Sequence, residues 1–167
     1  YHVILVDDNS QTMGQLTSEL QTAVNRLIEA SRFKGKLADT AINYGTDNNT
    51  GLLLVGVGSQ DKLNGGSLQK IAKAIYASLS SLTKSAVISL GDSMDEVSFG
   101  QLALALLNQC YTFDTYKSQK ADKPTLKDVT LLVSADNQAA FDTLLQLQQA
   151  TAQGQSLTKD LANQPPN

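Results

Sequence analysis

The acidic pairs Asp7-Asp8 and Asp95-Glu96 are the first groups to weigh as chemistry. A two-metal hydrolytic site needs several carboxylates converging on ions a few ångströms apart, so that a bridging water is activated and a carbonyl polarised. Neither pair makes such a set. Asp7-Asp8-Asn9-Ser10 is turn composition, and Asp95-Glu96 stands where a helix begins, so turn formation and capping account for both. His2 is the only histidine, with no second imidazole or cysteine to share a metal and no place in a nucleophilic triad; it reads as a strand residue. Cys110 is the single cysteine, so it cannot form an internal disulfide, and within the apolar run LALALLNQCY it reads as a small buried hydrophobe. Gly56-Val57-Gly58 comes at the end of a strand-like run and invites a phosphate-loop reading, because glycines let backbone amides approach an anion. The third glycine of a dinucleotide fingerprint is missing and no Gly-Lys-Ser/Thr is present, so a tight strand-end turn is preferred. Lys117, Lys120, Lys123 and Lys127 could touch phosphates or an acidic partner, but a solvated loop is the simpler account. No catalytic, cofactor-binding or metal-binding residue is therefore assigned.

The elements that must position these groups alternate between strand and helix. His2 to Val6 is a β-branched apolar run stopped by a turn. Leu16, Leu20, Val24, Leu27 and Ile28 fall at helical spacing from Gly14 to about Ser31. Leu37 to Tyr44 predicts a second strand, able to form a hairpin with the next apolar run, and Gly51 to Gly58 is continuous enough for a central strand covered on both faces. Ser67 is the expected N-cap of a helix carrying Leu68, Ile71, Ala72, Ile75, Leu79 and Leu82. Ser85 to Leu90 is a further strand, and Ser93 with Glu96 has the form of a capping box opening a helix with Val97, Leu102, Leu106 and Cys110 on its apolar face. Residues 111–126 read as a polar excursion. Val129 to Val133 returns to strand composition, and Ser134 or Asp136 should cap a last helix that uses Phe141, Leu144, Leu145, Leu157 and Leu161, with Gly154 a weak point. Pro165-Pro166 stops it. The alternation predicts an α/β fold, a mixed β-sheet sandwiched between helices.

The 167 residues suit one domain, and 41% hydrophobic with 17% charged residues is ordinary for a globular protein. Thirteen Lys plus Arg against 16 Asp plus Glu give a net charge of -3, which disfavours a polyanion such as nucleic acid. The apolar runs are far too short to span a membrane. Tyr1 leads straight into HVILV with no basic stretch and no longer apolar region, so the chain reads as a piece of a cytoplasmic protein without an export signal.

Four segments carry a resemblance. FKGK at 33–36 resembles a Phe/Leu-Lys/Glu-Gly-Lys turn before a second strand, and LLLVGVGSQDKL at 52–63 a strand ending in Gly-x-Gly. YTFDTYKS at 111–118 resembles a Tyr-x-Phe-Asp-x-x-Lys segment, and LTKDLANQPPN at 157–167 a helix end running into Asn-x-Pro-Pro-Asn. In this order and spacing they resemble the N-terminal domain of the leucyl aminopeptidase family. The resemblance implies a macro-domain-like fold for residues 1–162, with residues 163–167 starting the junction to a C-terminal catalytic domain. It also implies hexamers, and peptide substrates for the parent enzyme. Two divalent metals, zinc or manganese, would lie in the catalytic domain, beyond the junction, in motifs such as Asn-Thr-Asp-Ala-Glu-Gly-Arg that this sequence lacks. The expected role is non-catalytic, in assembly and active-site access. Two alternatives stand beside it: a macro-like module binding ADP-ribose or another nucleotide near Gly56 and Gly58, and a nucleic-acid-binding accessory domain.

Overall fold

The computed structural model describes residues 1–45, 50–91, 94–111 and 126–164. Among them run, in chain order, β1 (His2–Asp7), α1 (Ser18–Ser31), β2 (Thr40–Asn43), β3 (Leu52–Gly58), a single 3₁₀ turn (Gln60–Lys62), α2 (Gly65–Leu79), β4 (Ser85–Gly91), α3 (Glu96–Gln109), β5 (Asp128–Val133) and α4 (Gln138–Ala162). The strands form one sheet in the order β2-β3-β1-β4-β5. β2 pairs antiparallel with β3 as the expected hairpin, while β1, β3, β4 and β5 pair in parallel. The fold is the mixed α/β sandwich that the alternation predicted.

Two apolar layers hold it. On one face Val3, Leu5, Leu53, Val55, Ala86 and Ile88 pack with Leu68, Ile71 and Ile75 of α2, Phe99 and Leu102 of α3 and Phe141 of α4. On the other face Ile4, Val6, Leu52 and Leu54 meet Val24 of α1, with Phe33 and Ala41. β1 and β3 contribute to both layers, which is why their sequences run apolar without alternation. Each fully buried leucine or isoleucine there contributes about 1.5–3 kcal/mol. β5 is an edge strand whose residues alternate between exposed and partly covered, because only its inner face meets a helix layer. Phe99 and Phe141 stack with centroids 4.2 Å apart at 17°, fastening α4 to α3.

Several boundaries differ from those the sequence predicts. α1 begins at Ser18, capped by Thr17, whose side chain accepts from the Leu20 amide. β2 starts only at Thr40, because Phe33–Asp39 turns back across the sheet instead of extending. α2 is capped by Asn64, not Ser67. Ser67 sits three residues in, and its hydroxyl accepts from the Asn64 amide, so the two residues form a reciprocal capping box. α3 is capped by Asp95; Ser93 lies outside the described residues. Neither Ser134 nor Asp136 caps α4, because Asn137 ahead of it is already in the right-handed helical region. Val97, expected on the apolar face of α3, is 69% exposed, one residue into the first turn.

Candidate functional site

In open α/β sheets a ligand crevice forms outside the carboxyl ends of the parallel strands. Here those ends carry Asp7 on β1, Gly58 on β3 and Gly91 on β4, so two of the groups weighed from the sequence, the Asp7 carboxylate and the Gly56-Val57-Gly58 turn, come together at one edge. What occupies that edge is the chain itself.

The Phe33–Asp39 loop lies over Gly56 and Gly58. The Gly58 amide donates to the Gly35 carbonyl at 2.9 Å and the Gly56 amide to the Asp39 carbonyl at 2.8 Å, while the Ala38 amide returns to the Gly56 carbonyl at 2.8 Å. A Cβ placed on Gly56 would stand 1.9 Å from the Lys36 carbonyl oxygen, and one on Gly35 would stand 1.9 Å from the Asp7 carbonyl oxygen. The glycines therefore serve backbone against backbone, and the two amides that a phosphate would need are already bonded. Gly58 also takes φ +70°, the left-handed conformation of a strand-end turn. The turn reading of Gly-x-Gly accounts for the geometry.

Asp7 is 4% exposed, and its carboxylate is used inwardly. Oδ1 accepts from the amides of Asn9 at 2.9 Å and Gln11 at 2.8 Å, and Oδ2 accepts from Gln60 Nε2 at 3.0 Å. This is an Asx turn closed by the side chain of Gln60, with three donors on one buried carboxylate. The chain then crosses the sheet edge: Met13 donates to the Leu5 carbonyl, and Gly14 presses on Gly91, where a Cβ would meet Gly14 Cα at 2.4 Å. β1, β3 and β4 thus each end under a segment of their own chain.

Asp95 faces solvent as the α3 cap. Its Oδ1 accepts from the Ser98 amide at 2.7 Å, and that backbone hydrogen bond holds its carboxyl below the ordinary carboxylate value. His2 opens β1 and lines a groove of about 680 Å³ between α1 and the uncovered half of the sheet, with Leu16, Leu20, Ser89 and Leu132. Its Nδ1 is buried and has no hydrogen-bond partner among the described residues. Cys110, expected to be packed, comes just after the last turn of α3 and is exposed as a residue. Its sulfur is partly covered and approaches the Leu126 carbonyl at 3.7 Å, and that covering pushes the thiol above its ordinary value. Lys127 is exposed; Lys117, Lys120 and Lys123, most of the 111–118 motif, and residues 165–167 lie outside the described residues. Among the described residues no three His, Cys, Asp or Glu side chains gather as a metal site would require.

One polar arrangement gave no signal in the sequence, because its members lie about fifty positions apart. Tyr111 donates to Asp160 at 2.8 Å, Lys159 Nζ to Asn108 at 2.9 Å and Asn108 Nδ2 to Gln155 at 2.8 Å, clasping the end of α3 to the second half of α4. Lys159 Nζ also lies 4.9 Å from the Tyr111 ring centroid.

Comparison with known proteins decides the family. Residues 3–120 match the family model described as cytosol aminopeptidase family, N-terminal domain. The chain belongs to the cytosol aminopeptidase family. A probable cytosol aminopeptidase of Azotobacter vinelandii is 34% identical over 153 residues, 87% of this chain, and the cytosol aminopeptidase of Pseudomonas aeruginosa is 33% identical over the same length. The match takes up 31% of each of these relatives, so the chain spans about a third of their length. Among solved structures, a mutant of tomato leucine aminopeptidase superposes with a TM-score of 0.75 at 17% identity, covering 98% of this chain and 35% of that one. The bottromycin maturation enzyme BotP gives 0.67 at 16%, covering 98% of this chain and 32% of that one. Both share the fold. For a cytosol aminopeptidase N-terminal domain, the closed strand edge fits an accessory part.

Proposed function

We propose that this chain is a non-catalytic accessory and assembly domain of a cytosol aminopeptidase, residues 1–162 forming the domain and residues 163–167 beginning the junction to a C-terminal catalytic domain. The catalytic domain of the whole enzyme would hold two divalent ions, zinc or manganese, and with them the chemistry for removing an N-terminal leucine or a similar residue from peptides. The described residues do not fit those ions: the Asp7 carboxylate is taken by three donors, Asp95 caps a helix, and His2 stands without a second ligand. This chain's work is contact with its own catalytic domain and with other copies in a cytoplasmic hexamer, shaping the route to an active site carried elsewhere.

The observation that carries this reading is the sheet edge closed by the chain's own loops, with the Gly56 and Gly58 amides bonded to Asp39 and Gly35. It also argues against a nucleotide module, which would need those amides free. The test uses the purified 167-residue chain. With leucine-p-nitroanilide and added Mn²⁺ or Zn²⁺, no hydrolysis above the blank is expected, and calorimetric titration with ADP-ribose should give only heats of dilution. Chelator-sensitive hydrolysis, or saturable micromolar binding of ADP-ribose, would overturn it. Duplex DNA should not be retained even at low salt.

A further inference from the structure

Helix α4 is held by two different kinds of force. In its first half Phe141 is buried, Leu144 and Leu145 pack against the core, and Ala152 is the last buried residue. From Gln153 to Ala162 no residue is buried, and Leu157 and Leu161 are 61% and 62% exposed. Apolar burial therefore fastens the helix as far as Ala152 and adds little beyond it. Among the described residues, the side-chain hydrogen bonds that tie the second half to the rest of the domain run to the end of α3. Tyr111 donates to Asp160 at 2.8 Å, Lys159 Nζ to Asn108 Oδ1 at 2.9 Å, and Asn108 Nδ2 to Gln155 at 2.8 Å. Asn108 is bonded at both ends of its amide, so two of these contacts turn on one side chain.

The two halves meet at a weak point. Gly154 is a poor helix former, and a Cβ there would meet none of the described residues within 4 Å, so packing does not require a glycine. Thr158 turns its hydroxyl back onto the Gly154 carbonyl at 2.9 Å, a bond that competes with the helix ladder and loosens it.

We infer that residues 153–162 form a latch, opening and closing as a unit on Gly154 and shut by Asn108 and Tyr111, while Gln138 to Ala152 stays on the core. Segments with few buried apolar contacts and exposed backbone hydrogen bonds are the ones that open locally. This segment has both features. Its side-chain bonds are individually weak, so the shut state is favoured without being locked. When shut, the latch fixes the direction in which the chain leaves the domain; when open, it releases it. On the accessory-domain reading that exit leads to the catalytic domain, and the latch then governs how rigidly the two are held. Only this consequence rests on that reading, since the latch is a property of the chain itself.

Hydrogen exchange read by mass spectrometry on the 167-residue chain, at several urea concentrations below the unfolding transition, tests the latch. In the wild type the amides of residues 155–162 should exchange at least about tenfold faster than those of residues 141–152. Their rates should barely respond to urea, because local opening exposes little surface, whereas the rates of residues 141–152 should climb steeply. Asn108→Ala removes two hydrogen bonds and should speed exchange of residues 155–162 by about tenfold. Asn108→Asp keeps the acceptor for Lys159 and should recover part of the loss. Tyr111→Phe, which removes a single hydroxyl, should speed the same amides by about fivefold and serves if Asn108→Ala does not fold. Residues 155–162 sharing the steep urea response of residues 141–152 would show that α4 opens as one piece and overturn the inference. So would folded Asn108→Ala and Tyr111→Phe chains that both leave their exchange unchanged.

Discussion

Adding one methyl group at Gly56 should unfold this domain far more readily than the size of the change suggests. The added Cβ would lie 1.9 Å from the Lys36 carbonyl oxygen and 2.7 Å from the Gly35 carbonyl carbon. Both are backbone atoms, so no flexible side chain can yield, and the Phe33–Asp39 loop must retreat by about 1.5 Å to reach ordinary contact. Three backbone hydrogen bonds join that loop to Gly56 and Gly58, at 2.8, 2.8 and 2.9 Å. Losing them at about 0.5–1.5 kcal/mol each, with part of the burial of Phe33, makes a cost of about 2–5 kcal/mol. That is a large share of the roughly 5–15 kcal/mol by which a domain is stable. With an m-value of about 2 kcal/mol/M, the urea midpoint of Gly56→Ala should fall by about 1–2.5 M. The control is the same substitution at Gly154, where none of the described residues would lie within 4 Å of the added Cβ; there the helix should gain up to about 1 kcal/mol and the midpoint should rise. If Gly56→Ala kept the wild-type midpoint, the loop could not be pressed on the strand as described, and the Gly56–Gly58 edge would be open to a ligand after all.

Asp7→Ala should cost about 3 kcal/mol or more, because it strips two backbone amides of a charged acceptor in a buried turn, whereas Asp7→Asn, which keeps one acceptor oxygen, should cost less than half of that by urea midpoint. Phe141→Ala removes the stacked partner of Phe99 and should cost about 3–5 kcal/mol in calorimetric unfolding, with α4 exchanging its amide hydrogens ahead of the sheet. Asp95 gives a pH signature. Its carboxyl is held below the ordinary 3.8, so the stability it adds is fully present above that value and is lost as pH falls through the lower, folded value. The gap in urea midpoint between wild type and Asp95→Ala should therefore hold constant well above the ordinary 3.8 and close as pH falls below it; a gap that widens on acidification would contradict the capping geometry.

Much of the fold was legible because burial writes itself into periodicity. β3 reads LLLVGVG without a polar break, since both of its faces are covered, and the strand-helix alternation emerged from such runs. Caps were harder. A serine stands near the start of both α2 and α3, yet Asn64 and Asp95 take the cap positions, and a residue type alone does not say which of two candidates two or three residues apart has the extended backbone. The first apolar residue of α3 misled for a related reason: Val97 is one position too early to reach the core. At the strand edge, the sequence supplied the glycines and the reason to prefer a turn, but the partners of Gly56 and Gly58 come from a loop some twenty residues upstream, a pairing that no local pattern encodes. The same holds for the Tyr111–Asp160 contact. Along α4, Phe141, Leu144 and Leu145 meet the core as expected, but Leu157 and Leu161, read as members of the same apolar face, are exposed.

The sheet order has a consequence for how the molecule is made. β1 lies in the middle of the sheet, and both of its neighbours, β3 and β4, come later in the chain. On a ribosome adding about 5–20 residues per second, His2–Asp7 must wait several seconds for Leu52–Gly58 to be synthesised before it has a strand to pair with. Through that interval a bare apolar segment, HVILV, remains available to any other strand edge it meets. The middle of the finished sheet is thus the most vulnerable part of the nascent chain, and its protection at that stage falls to chaperones or to speed.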